Sequence, residues 1–330
     1  MASNTVVYAG TTGQGVWRSL DNGETFQRRS VGMFMEAEVR ALAVHPTEPA
    51  TLFAGTDAGI FRTVDGGERW TRLTAPFDPG NGWPVGVAIW SILIHPRTPE
   101  TIFVGTCPSG LYRSRDGGDS WEKLNAALTV ECPPIQFSRV TCLRADPNDD
   151  ETIWAGVEID GVWRSRDRGD SWTRLSQGLS SADIHDLALF PGQPSVVLAS
   201  TNNDLNFSRD AGESWQPQAV KGQFPFAYCR GMIAKSDDPN TLLLGNGNGP
   251  PGTAGALQVS HDGGRTWTQA ELPVPPNSTI WTFATNAGDP NLMFCASING
   301  YVYRSADGAA TWTKCAHEFG EVRSLALVVS

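Results

Sequence analysis

No run of 18 apolar residues occurs in the chain, so its sequence predicts no membrane-spanning helix. Positive charge is scarce. Twenty-five Lys and Arg stand against 35 Asp and Glu, a formal net charge of −10, which argues against a nucleic-acid partner held by its phosphates. The six cysteines (Cys107, Cys132, Cys142, Cys229, Cys295 and Cys315) have no C-x-x-C spacing. Zinc sites bring ligand pairs closer together, so neither a metal nor a cofactor is expected, and the thiols read as free. Cys142 and Cys295 fall in strand patterns and read as small buried hydrophobes. The first residues enter a strand pattern at Thr5 without a basic-plus-apolar leader, and the expectation is a cytoplasmic protein. Also absent are G-x-S-x-G, H-E-x-x-H and G-x-x-x-x-G-K-[ST]. The glycine-rich stretch Asn246 to Gly252 is not followed by a helix pattern, which argues against a phosphate cradle.

What the chain does have is one short motif in seven copies. They run Ser19 to Phe26 (S-L-D-N-G-E-T-F), Thr63 to Trp70 (T-V-D-G-G-E-R-W), Ser114 to Trp121 (S-R-D-G-G-D-S-W) and Ser165 to Trp172 (S-R-D-R-G-D-S-W). Ser208 to Trp215 (S-R-D-A-G-E-S-W), Ser260 to Trp267 (S-H-D-G-G-R-T-W) and Ser305 to Trp312 (S-A-D-G-A-A-T-W) complete the set. The aspartates stand at 21, 65, 116, 167, 210, 262 and 307, spaced 43 to 52 residues apart, a period that signals a propeller, solenoid or array. A hydroxyl followed two residues later by Asp can bond the backbone of its own turn. The glycine two residues beyond the Asp accepts a positive φ, and the closing aromatic buries against a neighbouring sheet. Seven equivalent aspartates in seven turns are read as structural. They lack the alternating oxygen ligands and distal Glu of a calcium loop.

One repeat reads as four strands: Val39 to Val44, Thr51 to Gly55, Gly59 to Thr63 and Trp70 to Leu73. Equivalent first strands begin near Ile89, Val140, Ile184, Cys229 and Ile280. His45-Pro46 and His95-Pro96 follow first strands as turn devices, since Asp146-Pro147 and Phe190-Pro191 replace them in other repeats. The chain starts with a second and a third strand and finishes with an unpartnered first strand, Val322 to Val328. The expected fold is therefore all-β: one seven-bladed β-propeller domain over residues 1–330, of four-stranded antiparallel blades. The C-terminal strand completes the first blade, and closure leaves only short edges.

The eight-residue motif resembles the Asp-box, or BNR repeat, of the sialidase-like propellers, and the resemblance covers nearly the whole chain. It implies the fold. Activity is left open, because such repeats occur in sialidases, xyloglucan-active glycosidases, sortilin-type receptors and photosystem assembly factors alike. Sialidases use six blades, an arginine triad, a tyrosine paired with a glutamate, and an F-R-I-P segment. Here the nearest analogue of that segment, Phe61-Arg62-Thr63, belongs to an ordinary third strand. Arg40, Arg230 and Arg323 could take the triad's role, with Tyr228 the one tyrosine in a channel-face loop. No paired glutamate is evident, so sialidase activity is not carried over.

In a propeller the loops entering each first strand, and those joining the second strand to the third, share one face; the repeated motif falls on the other. Near the start of the first strands stand Arg40, Trp90, Arg139, His185, Arg230, Trp281 and Arg323. Four arginines and a histidine at one channel mouth form a candidate anion site, since guanidinium groups grip carboxylates bidentately. Acids on that face are Glu36, Glu38, Asp57, Glu158, Asp160, Asp186 and Asp204, of which Glu158 and Asp160 are the candidate acid/base pair. Aromatic loops carrying Phe34, Trp83, Phe137 and Phe226 supply a pocket wall or a partner surface. Two functions follow. One is binding of an anionic small molecule or sugar over the channel, with hydrolase or lyase chemistry by His185, Glu158, Asp160 and Tyr228 as its extension. The alternative is a non-catalytic module that holds a protein partner.

Overall fold

A computed structural model describes residues 5–75, 87–133, 135–192 and 195–329. Seven four-stranded antiparallel sheets follow one another around a ring. Blade 1 pairs Thr5–Thr11, Gly15–Ser19 and Gln27–Arg28 with the C-terminal strand Val322–Val329, so the two ends of the chain close the ring as expected. The inner strands of blades 2 to 7 are Val39–Val44, Ala88–Ile94, Val140–Asp146, Ile184–Phe190, Tyr228–Lys235 and Ile280–Asn286. Each packs against the next, and Val322–Val329 packs against both Ile280–Asn286 and Val39–Val44. Among the described residues no helix is long and apolar enough to cross a membrane. A small hairpin, Glu131–Cys132 with Gln136–Phe137, precedes the inner strand of blade 4 where only a loop was expected.

Seven apolar clusters fill the seven junctions between blades, such as Phe53, Ile60, Ile89, Ile102 and Trp121 between blades 2 and 3. The second strands are covered on both faces, so Leu52–Thr56 is buried throughout. Close approach sets one recurring requirement there. A Cβ on Gly55 would lie 2.6 Å from Ile89 Cγ2, and one on Gly156 would lie 2.7 Å from Ile184 Cγ2. Glycine thus lets the inner strand of the next blade seat against the second strand. All six cysteines are buried and free, Cys142 and Cys295 within strands as expected.

The repeated motif folds as its residues dictate. In blade 3, Ser114 Oγ donates to Asp116 Oδ1 at 2.8 Å and accepts from the Gly118 N–H, while Asp116 receives the Ser120 N–H and hydroxyl at 2.8 and 2.6 Å. The same bonds recur at Asp21, Asp167, Asp210, Asp262 and Asp307. At Asp65 the residue in the hydroxyl position is Arg69, so the only bond received from that residue is its backbone N–H. The residue two after each Asp has positive φ; it is Gly in six copies and Ala309, at 77°, in the seventh.

A second regularity crosses between blades. The arginine before the motif's hydroxyl residue donates to the next blade's motif. Arg18 bonds the Gly66 carbonyl and Glu68, and Arg62 bonds the Gly117 carbonyl and Asp119. Arg113 bonds the Arg168 carbonyl and Asp170, Arg164 the Ala211 carbonyl and Glu213, and Arg304 the Asn22 carbonyl and Glu24. Where the arginine is replaced, by Phe207 and Val259, the acid of the following motif is replaced too, by Arg265 and Ala310. Donor and acceptor are present or absent together.

Strand pairing puts the two faces where the sequence expected them. Val39 lies opposite Thr56, next to the Gly59 turn, at one end; Val44, Leu52 and the motif residue Thr63 share the other. His45 and His95 cap their turns, Nδ1 accepting the Glu48 and Thr98 N–H groups at 3.1 and 3.2 Å.

Candidate anion site at the channel mouth

The second residue of five inner strands, and the third of the longer strands starting at Ala88 and Tyr228, lie at the same level of the channel. Around the ring they read Arg40, Trp90, Thr141, His185, Arg230, Trp281 and Arg323; Arg139, expected at this level, precedes its strand Val140–Asp146 and reaches the site from beside Trp90 instead. Each tryptophan is held between two arginines. Arg40 and Arg139 lie 4.6 and 4.3 Å from the Trp90 ring centre, and Arg230 and Arg323 lie 3.8 and 5.0 Å from that of Trp281. Stacking a weakly hydrated, planar guanidinium on an indole face spaces the four charges and partly compensates their desolvation. At the centre is a cavity of about 240 Å³, lined by Arg40, Trp90, His185, Arg230, Trp281 and Arg323.

Three of the four arginines have an acid beside them. Arg40 pairs with Glu38, Arg139 with Glu158 and Arg323 with Glu321. Burial, together with the charges of Arg40 and Arg230, outweighs Glu321 and lowers Arg323 to about 10. Arg230 differs. It is 8% exposed and, among the described residues, makes no ion pair.

His185 completes the ring between Thr141 and Arg230. It is buried, its ring centre lies 4.9 Å from that of Tyr228, and Nδ1 lies 2.6 Å from the Cys229 carbonyl. Burial and the nearby Arg230 hold His185 below its ordinary pKa. Its Nε2 faces Asp183 Oδ1 at 3.5 Å. Burial raises Glu158 above the usual carboxylate range despite Arg139 and Arg230. Asp183, also pushed up by burial, ends below its ordinary value because His185, Arg230 and Arg139 outweigh that cost. Burial raises Tyr228, against the Arg230 charge.

The expected residues thus divide. Arg40, Trp90, Arg139, His185, Arg230, Trp281, Arg323, Glu158 and Tyr228 converge. Asp160 does not join Glu158: its carboxylate accepts the Thr129 N–H at 2.8 Å and lies 3.3 Å from Arg174 Nε. The one residue between them, Ile159, has φ 65°, and this local turn separates the two. Asp186 and Asp204 are likewise engaged by backbone N–H groups, Asp186 by Leu187 and Met232, Asp204 by Leu205 and Val220. Neither Phe34 nor Phe226 lines the cavity; Phe34 is exposed, and Phe226 is half-buried with its carbonyl bonded to Asn246. Trp83 lies outside the described residues.

Asp183 and Glu321 were not among the expected acids. The signal was available: Glu38-Val-Arg40, Asp183-Ile-His185 and Glu321-Val-Arg323 share an acid two residues before the ring cation. In extended chain, residues i and i+2 point the same way.

Residues 14–154 match the family model described as Sortilin, neurotensin receptor 3 (Sortilin-Vps10), and residues 258–269 match the BNR/Asp-box repeat. The chain is an Asp-box propeller of the sialidase-like superfamily. Among curated proteins, this propeller is 29% identical over 291 residues to a probable oligoxyloglucan-reducing end-specific xyloglucanase of Neosartorya fischeri, covering 82% of this chain and 32% of that protein. It is 24% identical over 267 residues to the photosystem II assembly lipoprotein Ycf48 of a Synechococcus strain, covering 80% of this chain and 72% of that protein. The crystal structure of a GH74 xyloglucanase from Xanthomonas campestris matches with a TM-score of 0.66 at 21% identity, covering 84% of this chain and 45% of that one. The propeller spans about a third of the length of the xyloglucanases it matches in the curated set.

Proposed function

We propose that the channel mouth binds a small carboxylate-bearing ligand, a sugar acid being the class that fits best. The observation that carries this is Arg230, a buried guanidinium with no carboxylate within ion-pair distance among the described residues. Burying an unpaired charge costs on the order of several kcal/mol, a cost that a bound anion would offset. The cavity, about 240 Å³, is below the roughly 300–1,000 Å³ of pockets for drug-sized ligands, so the ligand is small. Both tryptophan faces are covered by arginines, which leaves neutral-sugar stacking on Trp90 and Trp281 without a platform. The saccharide part of the proposal draws on the relatives named xyloglucanases.

Thermal shift distinguishes the cases. Glucuronate is expected to raise the melting temperature in a concentration-dependent way, glucose to leave it unchanged, and Arg230→Ala to abolish the response. Equal responses to both sugars, or a response that survives in Arg230→Ala, would overturn the reading.

A second reading, a protein partner, rests on a different observation. Val31, Phe34 and Met35, in the loop leading to the inner strand of blade 2, are exposed by 55%, 56% and 72% respectively, and one relative is named an assembly lipoprotein. Phe224 is buried and edge-on to Trp267, so it is no part of that surface. Pull-down with the intact chain should retrieve one stoichiometric partner that Phe34→Ser loses. No partner, or one retained by the variant, counts against it.

A further inference from the structure

Beside the arginine ring, Glu158, Asp183 and His185 each offer a ligand atom within 4.8 Å of the other two. Glu158 follows the second strand of blade 4, whereas Asp183 and His185 come from the entry to blade 5. Their convergence is purely tertiary.

The decisive feature is the histidine. Its side chain is 1% exposed, and Nδ1 lies 2.6 Å from the Cys229 carbonyl, which can only accept. Nδ1 therefore carries the proton, and in the neutral ring Nε2 turns a lone pair into the cluster. There, among the described residues, it has no hydrogen-bond partner, and neither does the buried Asp183 Oδ1 opposite, 3.5 Å away. Two buried acceptors facing each other repel, and what relieves them is a positive charge between them, either a proton that makes the ring imidazolium or a metal ion. An imidazole anchored by one N–H on a backbone carbonyl, with the other nitrogen aimed at carboxylates, is also how metal-binding histidines are oriented.

We infer that Glu158, Asp183 and His185 form a binding site for a divalent transition-metal ion of the zinc class. One nitrogen and two carboxylates suit such an ion, and three protein ligands leave a position open. Arg139 already lies against the Glu158 carboxylate, and Arg230 acts on both acids, so these two charges oppose a lone cation. An anion bound at the mouth removes that opposition. Metal and carboxylate are then expected to bind cooperatively. This second half rests on the proposed function; the metal site itself does not.

The test uses Zn(II) on the intact chain after chelation with EDTA and desalting, first without any sugar acid. Elemental analysis should find one zinc per chain in the wild type. Asp183→Asn and His185→Gln should bind it at least tenfold more weakly, since even outer-shell partners are worth roughly 10–100-fold. Co(II) should give a visible d–d band in the wild type alone. Should His185→Gln fail to fold, Glu158→Gln, which keeps the side chain's shape, carries the same expectation. No zinc retained at micromolar concentration, or equal uptake by the variants, overturns the site. Glucuronate should then tighten zinc binding in the wild type but not in Arg230→Ala. Zinc binding indifferent to glucuronate overturns the coupling and counts against the carboxylate reading, while leaving the metal site standing.

Discussion

At one end of every blade the same eight residues make the same turn, and their arginine neighbours link blade to blade in five of the seven junctions. At the other end loop lengths differ and a hairpin intrudes, yet seven inner-strand residues converge on one cavity. Both ends are rich in arginine and acid. The difference lies in whether each charge is answered. Buried Arg113, 3% exposed, meets Glu122, Asp170 and the Arg168 carbonyl, whereas Arg230 stacks on an indole and acts on Glu158 and Asp183 only from beyond ion-pair distance. Satisfied arginines fasten blades. Arg230, with no carboxylate within ion-pair distance among the described residues, marks the place where a ligand is expected.

The sharpest way to break this comparison is to remove one arginine from each end. Arg230→Met should abolish glucuronate binding while raising stability by about 1 kcal/mol or more, because it deletes a buried unpaired charge and keeps the volume. Arg113→Met should do the reverse for stability, costing about 1–2 kcal/mol in urea unfolding, a figure kept low because Glu122 and Asp170 are half exposed. If both variants shift stability in the same direction, the contrast between the two ends fails.

Acid titration probes the motif end as a whole. All seven motif aspartates lie below their ordinary value of 3.8. Hydroxyl hydrogen bonds from Ser120 and Thr311 hold Asp116 and Asp307 at about 2. A carboxylate depressed in the fold adds stability that is fully present above its unfolded pKa and is lost as pH falls through the folded value. Melting temperature should therefore hold down to about pH 4 and drop steeply towards pH 2, as circular dichroism would follow. A flat profile over that window would remove the aspartates from the stability account.

The smallest effect expected is a gain. Of the seven residues standing two after the motif Asp, all at positive φ, Ala309 alone carries a side chain, at φ 77°. Ala309→Gly should stabilise by about 0.5–1 kcal/mol, whereas Gly→Ala at Gly118 should cost at least as much. Equal and opposite signs at equivalent positions would confirm that the turns are interchangeable parts.

Much of this was legible in the chain. Motif count, strand order and ring closure all follow from local patterns repeated at a fixed period, and so does the level of six of the seven ring residues, Thr141 standing where Arg139 was expected. The arginine links were legible too, in the paired loss of Arg and acid at Phe207 with Arg265 and at Val259 with Ala310. The fate of individual acids was not. Glu158 and Asp160 are near neighbours in sequence, yet one joins Arg139 and the other is bound by Thr129 and Arg174. Asp183 passed unnoticed although its spacing to His185 repeats that of Glu38 to Arg40.

The amino-acid sequence by itself determined the blades, because each turn is closed by hydrogen bonds between residues no more than four apart, and seven such units bury their faces only against one another. Tertiary structure alone decided the mouth. Its residues run from 40 to 323, and which charge is answered there depends on distances between strands of different blades, on burial and on the tautomer imposed by the Cys229 carbonyl. Local hydrogen bonding is written in short-range pattern, whereas the balance of buried charge is settled only when the ring has closed.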